Sequence, residues 1–355
     1  MIRPVKAARK AAMGTLLLGV SLTLPINAAE RTRMLCIGNS FSADAVETYL
    51  CPILNAGGFD FEVTNLYKPA AALENAWQSF ENDTPIYQPR LMKGNSRIKL
   101  SETSVRAALN DGEWDIVTVQ QASVLSGNYD TYSPAQQLIP AIRQAQPDAE
   151  IWYHQTWSYA STYTDKQFAI YNFSSEEMYD AICEAGQQFM ADFEFAGILP
   201  AGTAIMNTRL NTGDRKGLTI DGAHLTPFGK FVVACTWYES LTGHDVRENG
   251  YQPKEFSAES TILAKEMAHF ACLSPFSCTE TRINPRDIRP RYNLLADSGT
   301  IKFFPVSAAS HHIEIFTLSG ECIFETDTTE GVEIKVDKGL YIVVIDRDNA
   351  IKLII

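Results

Sequence analysis

Short apolar runs alternate with amphipathic stretches through the first two hundred residues after the N-terminal segment. Runs of strand length lie at residues 34–37, 61–66, 115–120, 150–154 and 197–200. Apolar positions at helical spacing fall between them, at residues 43–54, 104–109, 134–144 and 175–191. Such alternation predicts a parallel sheet of five strands with helices on both faces, because parallel strands need long crossovers. Residues 228–242 predict a closing apolar helix, and 262–272 another. In a sheet of this kind ligands bind beyond the carboxyl ends of the strands. Ser40, Gln120, Gln121 and His154 all fall at such ends and are expected on one rim.

The pattern changes after Cys278. Asn284-Pro285-Arg286-Asp287-Ile288-Arg289-Pro290-Arg291 is polar and broken by prolines, as a linker is. Beyond it, residues 312–318, 331–336 and 339–345 alternate or run apolar with β-branched side chains, separated by turn residues. These predict a small all-β sandwich of about 60–70 residues. At the other end, Arg3, Lys6, Arg9 and Lys10 precede an apolar stretch over residues 13–24, and Asn27-Ala28-Ala29 offers small residues for cleavage. That is the layout of an export signal, too short in its apolar part for a comfortable membrane span. The expected organisation is a signal over 1–29, an α/β domain over 30–280, a linker over 281–294 and a β-sandwich over 295–355. The mature protein is expected in the periplasm, at the cell surface or secreted, with no membrane span once the signal is removed.

Charge and cysteine narrow the partners. The first 29 residues hold four of the 30 Lys and Arg and none of the 42 Asp and Glu, so their removal takes the net charge from −12 to −16. Such acidity argues against nucleic acid and anionic lipid. The seven cysteines form no CxxC or Cys/His cluster, so no metal site is expected. Cys36 reads as a buried small hydrophobe. Cys272 and Cys278 are the one close pair, for which export permits a disulfide, and the odd count leaves at least one thiol free.

The chemistry lies in two short motifs. Gly38-Asn39-Ser40-Phe41-Ser42 follows the first strand, and Asp221-Gly222-Ala223-His224 lies about 180 residues further on. Ser40 falls in a strand-to-helix loop, where the first N–H groups of the helix point outward. A serine hydroxyl is a poor nucleophile without a base, and the base needs an orienting partner. His224 and Asp221 offer both from one loop, which points to serine-type acyl transfer without a cofactor.

Residues 33–243 resemble the SGNH (GDSL-type) hydrolase superfamily, in particular a bacterial branch of it defined only as a domain of unknown function. The resemblance is carried in order by Ile37-Gly38-Asn39-Ser40-Phe41-Ser42, Trp114-Asp115-Ile116-Val117-Thr118-Val119-Gln120-Gln121-Ala122-Ser123 and His154-Gln155-Thr156-Trp157-Ser158-Tyr159-Ala160. Pro200-Ala201-Gly202-Thr203-Ala204-Ile205 and Asp221-Gly222-Ala223-His224-Leu225 complete it. It implies a flavodoxin-like three-layer α/β/α fold with Ser40 as nucleophile, His224 as base and Asp221 as orienting acid. It also implies an oxyanion hole made by the serine N–H, a glycine N–H and an asparagine side chain. Here Ala70 stands at the glycine position after Pro69, and no asparagine follows Val119. Gln121 is the expected substitute donor, with Gln120 competing for the role. The C-terminal residues, notably Gly320, Lys338-Gly339-Leu340-Tyr341-Ile342-Val343 and Lys352-Leu353-Ile354-Ile355, resemble the β-sandwich tail that serves as a type IX secretion signal on some exported Bacteroidetes proteins.

His154, among Trp152, Tyr153 and Trp157, reads as a wall or supporting group rather than a base. Trp152, Trp157 and Tyr159 fit sugar stacking or the core equally. Arg209 fits a surface position or a clamp for a substrate carboxylate or hydroxyl. The expected function is an exported esterase that removes O-acetyl or similar groups from a carbohydrate, its partner a small-molecule or oligosaccharide ester. A carbohydrate-binding or scaffold protein on a hydrolase fold is the alternative, favoured by Ala70, Pro69 and the missing asparagine.

Overall fold

The computed structural model describes residues 31–93, 96–212, 217–279, 292–297, 299–305, 310–345 and 349–354. The expected export signal and most of the expected linker therefore lie outside the described residues. A central sheet is built from β1 (Thr32–Gly38), β2 (Phe61–Tyr67), β3 (Gln88–Lys93), β4 (Ser96–Lys99), β5 (Ile116–Val119), β6 (Glu150–His154) and β7 (Gly197–Leu199). Its order is β4-β3-β2-β1-β5-β6-β7. The five expected strands, β2-β1-β5-β6-β7, all pair in parallel. The chain leaves β1 toward β2 and later returns to β5 on the other side, which makes the end of β1 the topological switch point. Sequence periodicity missed the antiparallel pair β3 and β4, because β4 (Ser-Arg-Ile-Lys) is exposed throughout and has no apolar face to betray it.

Strand parity sorts the side chains into two cores. Met34, Cys36, Val63 and Ile116 face one layer, covered by α1 (Ser40–Val46), α2 (Leu50–Ala56), α7 (Ala201–Thr212), α8 (Pro227–Thr242) and α9 (Ala258–Leu273). Leu35, Ile37, Leu66, Val117 and Val119 face the other, beneath α3 (Leu73–Glu81), α4 (Val105–Leu109) and α5 (Ala135–Ala145). The longest helix, α6 (Ser175–Asp192), contributes Met178 and Ile182 to the first core and Ala185 and Phe189 to the second.

The single helix expected over residues 43–54 is two, α1 and α2, with a turn at 47–49. Pro52 explains the break: its ring would clash with the carbonyl of Thr48, but it is tolerated in the first turn of a new helix. Glu47, freed at the end of α1, accepts from Asn65 at 2.7 Å and pairs with Arg90 at 3.1 Å and Arg97 at 2.6 Å. The β3–β4 pair is thereby fastened to the helix that begins with Ser40.

From Tyr292, within the last three residues of the expected linker, all described elements are strands. A four-stranded sheet has the order β11-β10-β13-β14 and a three-stranded one the order β12-β9-β8. The strands are β8 (Tyr292–Asp297), β9 (Thr300–Pro305), β10 (His311–Thr317), β11 (Cys322–Thr328), β12 (Val332–Lys335), β13 (Leu340–Ile345) and β14 (Asn349–Ile354). Ile301, Phe303 and Ile334 from one sheet and Ile313, Ile315, Val343 and Ile345 from the other share one core, as in a sandwich. A chain ending at residue 290 is expected to keep cooperative thermal unfolding in the α/β part, since the sandwich has a core of its own. Loss of cooperativity in that truncated chain would count against a separable C-terminal domain.

Candidate active site

β1 ends at Gly38, where a Cβ would meet Ser42 Oγ at 2.5 Å and Gln120 Oε1 at 2.7 Å, so a side chain there would displace both. Asn39 is extended and caps α1, its Oδ1 accepting the Phe41 N–H at 2.9 Å. Ser40 is thus the first residue of α1, with an N–H that has no acceptor within the helix. Phe41 points inward and stacks on Trp157 with ring centroids 4.0 Å apart. The edge of Phe41 also meets the His224 ring, at 6.2 Å.

His224 arrives on a loop closed by the bridge between Thr219 and Leu225, with Gly222 at φ 95° making the turn. Asp221 Oδ1 accepts the N–H groups of Ala223 at 2.9 Å and His224 at 2.8 Å, and Oδ2 lies 2.7 Å from His224 Nδ1. His224 Nε2 lies 3.0 Å from Ser40 Oγ. With Nδ1–H donating to the carboxylate, Nε2 is free to accept the serine proton. The loop is pinned from two sides. Asp44 on α1 accepts the Leu225 N–H at 2.8 Å and pairs with Lys230 at 2.9 Å. From the segment after β6, Trp157 Nε1 donates to Ala223 O at 2.8 Å and Ala160 N to Gly222 O at 2.7 Å. Sequence reasoning missed Asp44, because a carboxylate in a short helix shows its burial only once the fold is known.

Burial alone would raise the Asp221 pKa, but the hydrogen bonds from the His224 ring and from the His224 and Ala223 amides outweigh it and bring the carboxyl from 3.8 down to about 2. A depressed carboxyl stabilises the folded chain fully above its unfolded value of 3.8 and loses that contribution as pH falls through about 2. A carbon-13 titration of the folded protein should therefore place the Asp221 midpoint near 2, and His224→Ala should move it upward. A midpoint near 3.8 would show that the hydrogen bonds to Asp221 are not formed in solution.

Several other expected residues fall elsewhere. Gln121 does not face Ser40. It follows the parity of Val117 and Val119 into the second core, is 1 % exposed, and spends its whole amide there. Its Oε1 accepts from Leu73 N at 3.0 Å and Ala122 N at 2.8 Å, while Nε2 donates to Thr131 O at 2.9 Å. Gln120 takes the opposite face, where its Nε2 donates to Asn39 Oδ1 at 2.9 Å beneath the serine loop, so its amide is committed too and does not fill the competing donor role. His154 is buried beside it, with Nδ1 3.0 Å from Gln120 Oε1, and burial pushes its pKa down to about 3. Arg209 is neither a surface group nor a clamp. It is 2 % exposed beneath the segment after β6, donating to Ser158 Oγ at 2.8 Å, and burial lowers its pKa to about 10. Trp157 and Tyr159 belong to the core, and Trp152 packs against it. Cys272 contacts Ser240 and Thr236, whereas Cys278 packs with Tyr179, Cys183 and Met206, so the two thiols are free and apart.

Ala70 adopts φ 53°, the left-handed conformation that favours glycine. Its turn is stitched to the end of β1 by Lys68 N to Gly38 O at 3.2 Å and by Asn39 Nδ2 to Ala71 O at 2.9 Å. Among the described residues the Ala70 N–H takes no acceptor. Ala70→Gly is expected to raise stability by about 0.5 kcal/mol or more by relieving that backbone, read as a higher denaturation midpoint. A lower midpoint would mean that the turn is not left-handed.

The α/β/α layers, the serine at the switch point and the Asp-x-x-His loop beside it define the class, a three-layer α/β unit with a Ser-His-Asp constellation at the end of its central strand. The chain belongs to the family described as Domain of unknown function (DUF4886), whose pattern matches residues 33–271. A solved DUF4886 family protein from Bacteroides uniformis is 34 % identical, aligns over 71 % of this chain and 98 % of its own, and has a TM-score of 0.68. Remoter likenesses include a candidate SGNH hydrolase from Slackia heliotrinireducens, 20 % identical over 59 % of this chain and 99 % of that one, with a TM-score of 0.42. A GDSL-like lipase from Bacteroides thetaiotaomicron is 11 % identical over 60 % and 86 %, with a TM-score of 0.35. These two are too distant to bear on chemistry. No functionally curated protein matches the chain.

Proposed function

We propose that this chain is an exported serine esterase that removes O-acetyl or similar acyl groups from a carbohydrate. The observation that carries the reading is the unbroken line from Asp221 through His224 to Ser40, at 2.7 and 3.0 Å. Ser40 Oγ attacks the ester carbonyl while His224 Nε2 takes its proton, and Asp221 steadies the imidazolium that results. The tetrahedral oxyanion is met by backbone donors, the N–H of Ser40 and that of Ala70. His224 then protonates the departing sugar oxygen. Water, activated by the same imidazole, releases the carboxylic acid and restores Ser40. Each step uses protons and electron pairs already on these groups, so neither metal nor organic cofactor enters.

A carbohydrate leaving group is supported by the export pattern of residues 1–29 and by the openness of the site, with the His224 and Asp221 side chains 43 % and 53 % exposed. A bulky, hydrated alcohol fits such a rim better than an enclosed small molecule. The acidic surface fits a neutral glycan rather than nucleic acid. A second reading, a carbohydrate-binding protein with little or no turnover, is favoured by one observation: the Gln121 amide is committed to Thr131, and a missing oxyanion donor costs roughly 10²–10³ in rate.

Hydrolysis of 4-nitrophenyl acetate and of acetylated oligosaccharides, with released acid measured, separates the two. Wild-type protein is expected to turn over, and Ser40→Ala to lose on the order of 10⁴-fold or more in kcat. Asp221→Ala is expected to lose less than His224→Ala. Glycan binding with no turnover dependent on Ser40 would establish the second reading instead.

A further inference from the structure

The amide of Asn39 is fixed from two directions by backbone groups whose polarity admits no choice. Its oxygen accepts the Phe41 N–H at 2.9 Å, and its nitrogen donates to the Ala71 carbonyl at 2.9 Å. The group 2.9 Å from that oxygen must then be a donor, which makes it the NH₂ of Gln120. Gln120 Oε1 consequently faces His154 Nδ1 at 3.0 Å, and that nitrogen must carry the proton. His154 is neutral because it is buried, its Nε2 has no hydrogen-bond partner, and its ring meets that of Trp237 at a steep angle, centroids 4.9 Å apart. Every donor and acceptor from His154 to the Ala71 carbonyl is thereby assigned. The line ends on both sides of the proposed oxyanion hole, at the cap that presents the Ser40 N–H and at the carbonyl one residue beyond Ala70.

We propose that His154 and Gln120 are positioning residues that act through Asn39 to hold the Ser40 and Ala70 N–H groups at one oxyanion, a role that rests on the esterase reading. Neither touches the substrate. Gln120 keeps the Asn39 amide from rotating, and His154 keeps the Gln120 amide from rotating in turn. A rotated Asn39 would present its NH₂ to the Phe41 N–H and its oxygen to the Ala71 carbonyl, donor against donor and acceptor against acceptor. The cap and the turn would separate, and both donors would drift from a geometry that stabilises charge only when it is fixed beforehand.

The test uses the full chain with Gln120→Met, His154→Leu and His154→Asn, the last keeping an N–H where Nδ1 stands. Gln120→Met should lower kcat on 4-nitrophenyl acetate by about 10–100-fold with KM within about threefold of wild type, because the lost order is felt by the oxyanion. His154→Leu should lose about tenfold and His154→Asn recover most of it. Equal loss in the two His154 variants, or losses confined to KM, would reduce His154 to packing and overturn the proposal. Nitrogen-15 spectra give a readout that survives failure of the esterase reading. Wild-type His154 should show the Nδ1–H tautomer at neutral pH, and Gln120→Met should shift the Ser40 and Ala70 amides. If wild type lacks turnover dependent on Ser40, the esterase reading falls and these spectra still judge the relay. An Nε2–H tautomer, or unmoved amides, would overturn it.

Discussion

A proton passes between a hydroxyl and an imidazole only while the two atoms stay at hydrogen-bond distance, and here they come from residues 184 positions apart. Most of the features around the site serve that one separation. Asp44 carries the constraint from the serine helix to the histidine loop, through Leu225 and Lys230. Trp157 carries it from the end of β6, stacked on Phe41 on one side and bonded to Ala223 on the other. These contacts are buried although the His224 and Asp221 side chains are half-exposed, so the open rim rests on a closed foundation.

On the proposed esterase reading, the departures from the pattern that the sequence resembles compensate one another. Without a side-chain amide donor an oxyanion there would fall to backbone N–H groups, and a backbone donor is only as good as the turn that aims it. Ala70 holds a conformation costly for any residue with a Cβ, which is tolerable because Asn39 and Gly38 bind its turn at two points. The glutamines divide the work by strand parity. Gln120 supports the serine loop on one face, and Gln121 caps α3 and ties Thr131 on the other. Arg209 has a comparable place under Ser158, bracing the segment from which Trp157 and Ala160 hold the histidine loop.

Much of this was legible without coordinates. Strand-length runs of four to six residues, separated by stretches of helical spacing, are satisfied by a covered parallel sheet, and all five expected strands are present. The triad was legible for a similar reason: serine needs a base and an orienting acid, and Asp221 and His224 lie close enough in sequence to share one loop. Elements without their own periodicity were not legible. The exposed β4 reads as polar chain, and α7 is buried over nearly its whole length, so no amphipathic stripe marks it.

The direction of single polar side chains was settled by the tertiary structure alone. Residues 120 and 121 are chemically identical, and nothing local decides which one faces Ser40. The register of β5 beside β1 decides it, together with the layer each face meets. Burial of Arg209 and the proton position on His154 have the same origin, since both depend on partners more than thirty residues away. By itself the sequence determined which chemical groups are present and which elements carry them, because periodicity and reactivity are properties of short stretches. Which amide faces which donor was decided only by the packed fold, because hydrogen-bond polarity is fixed by neighbours that the chain brings together only in three dimensions.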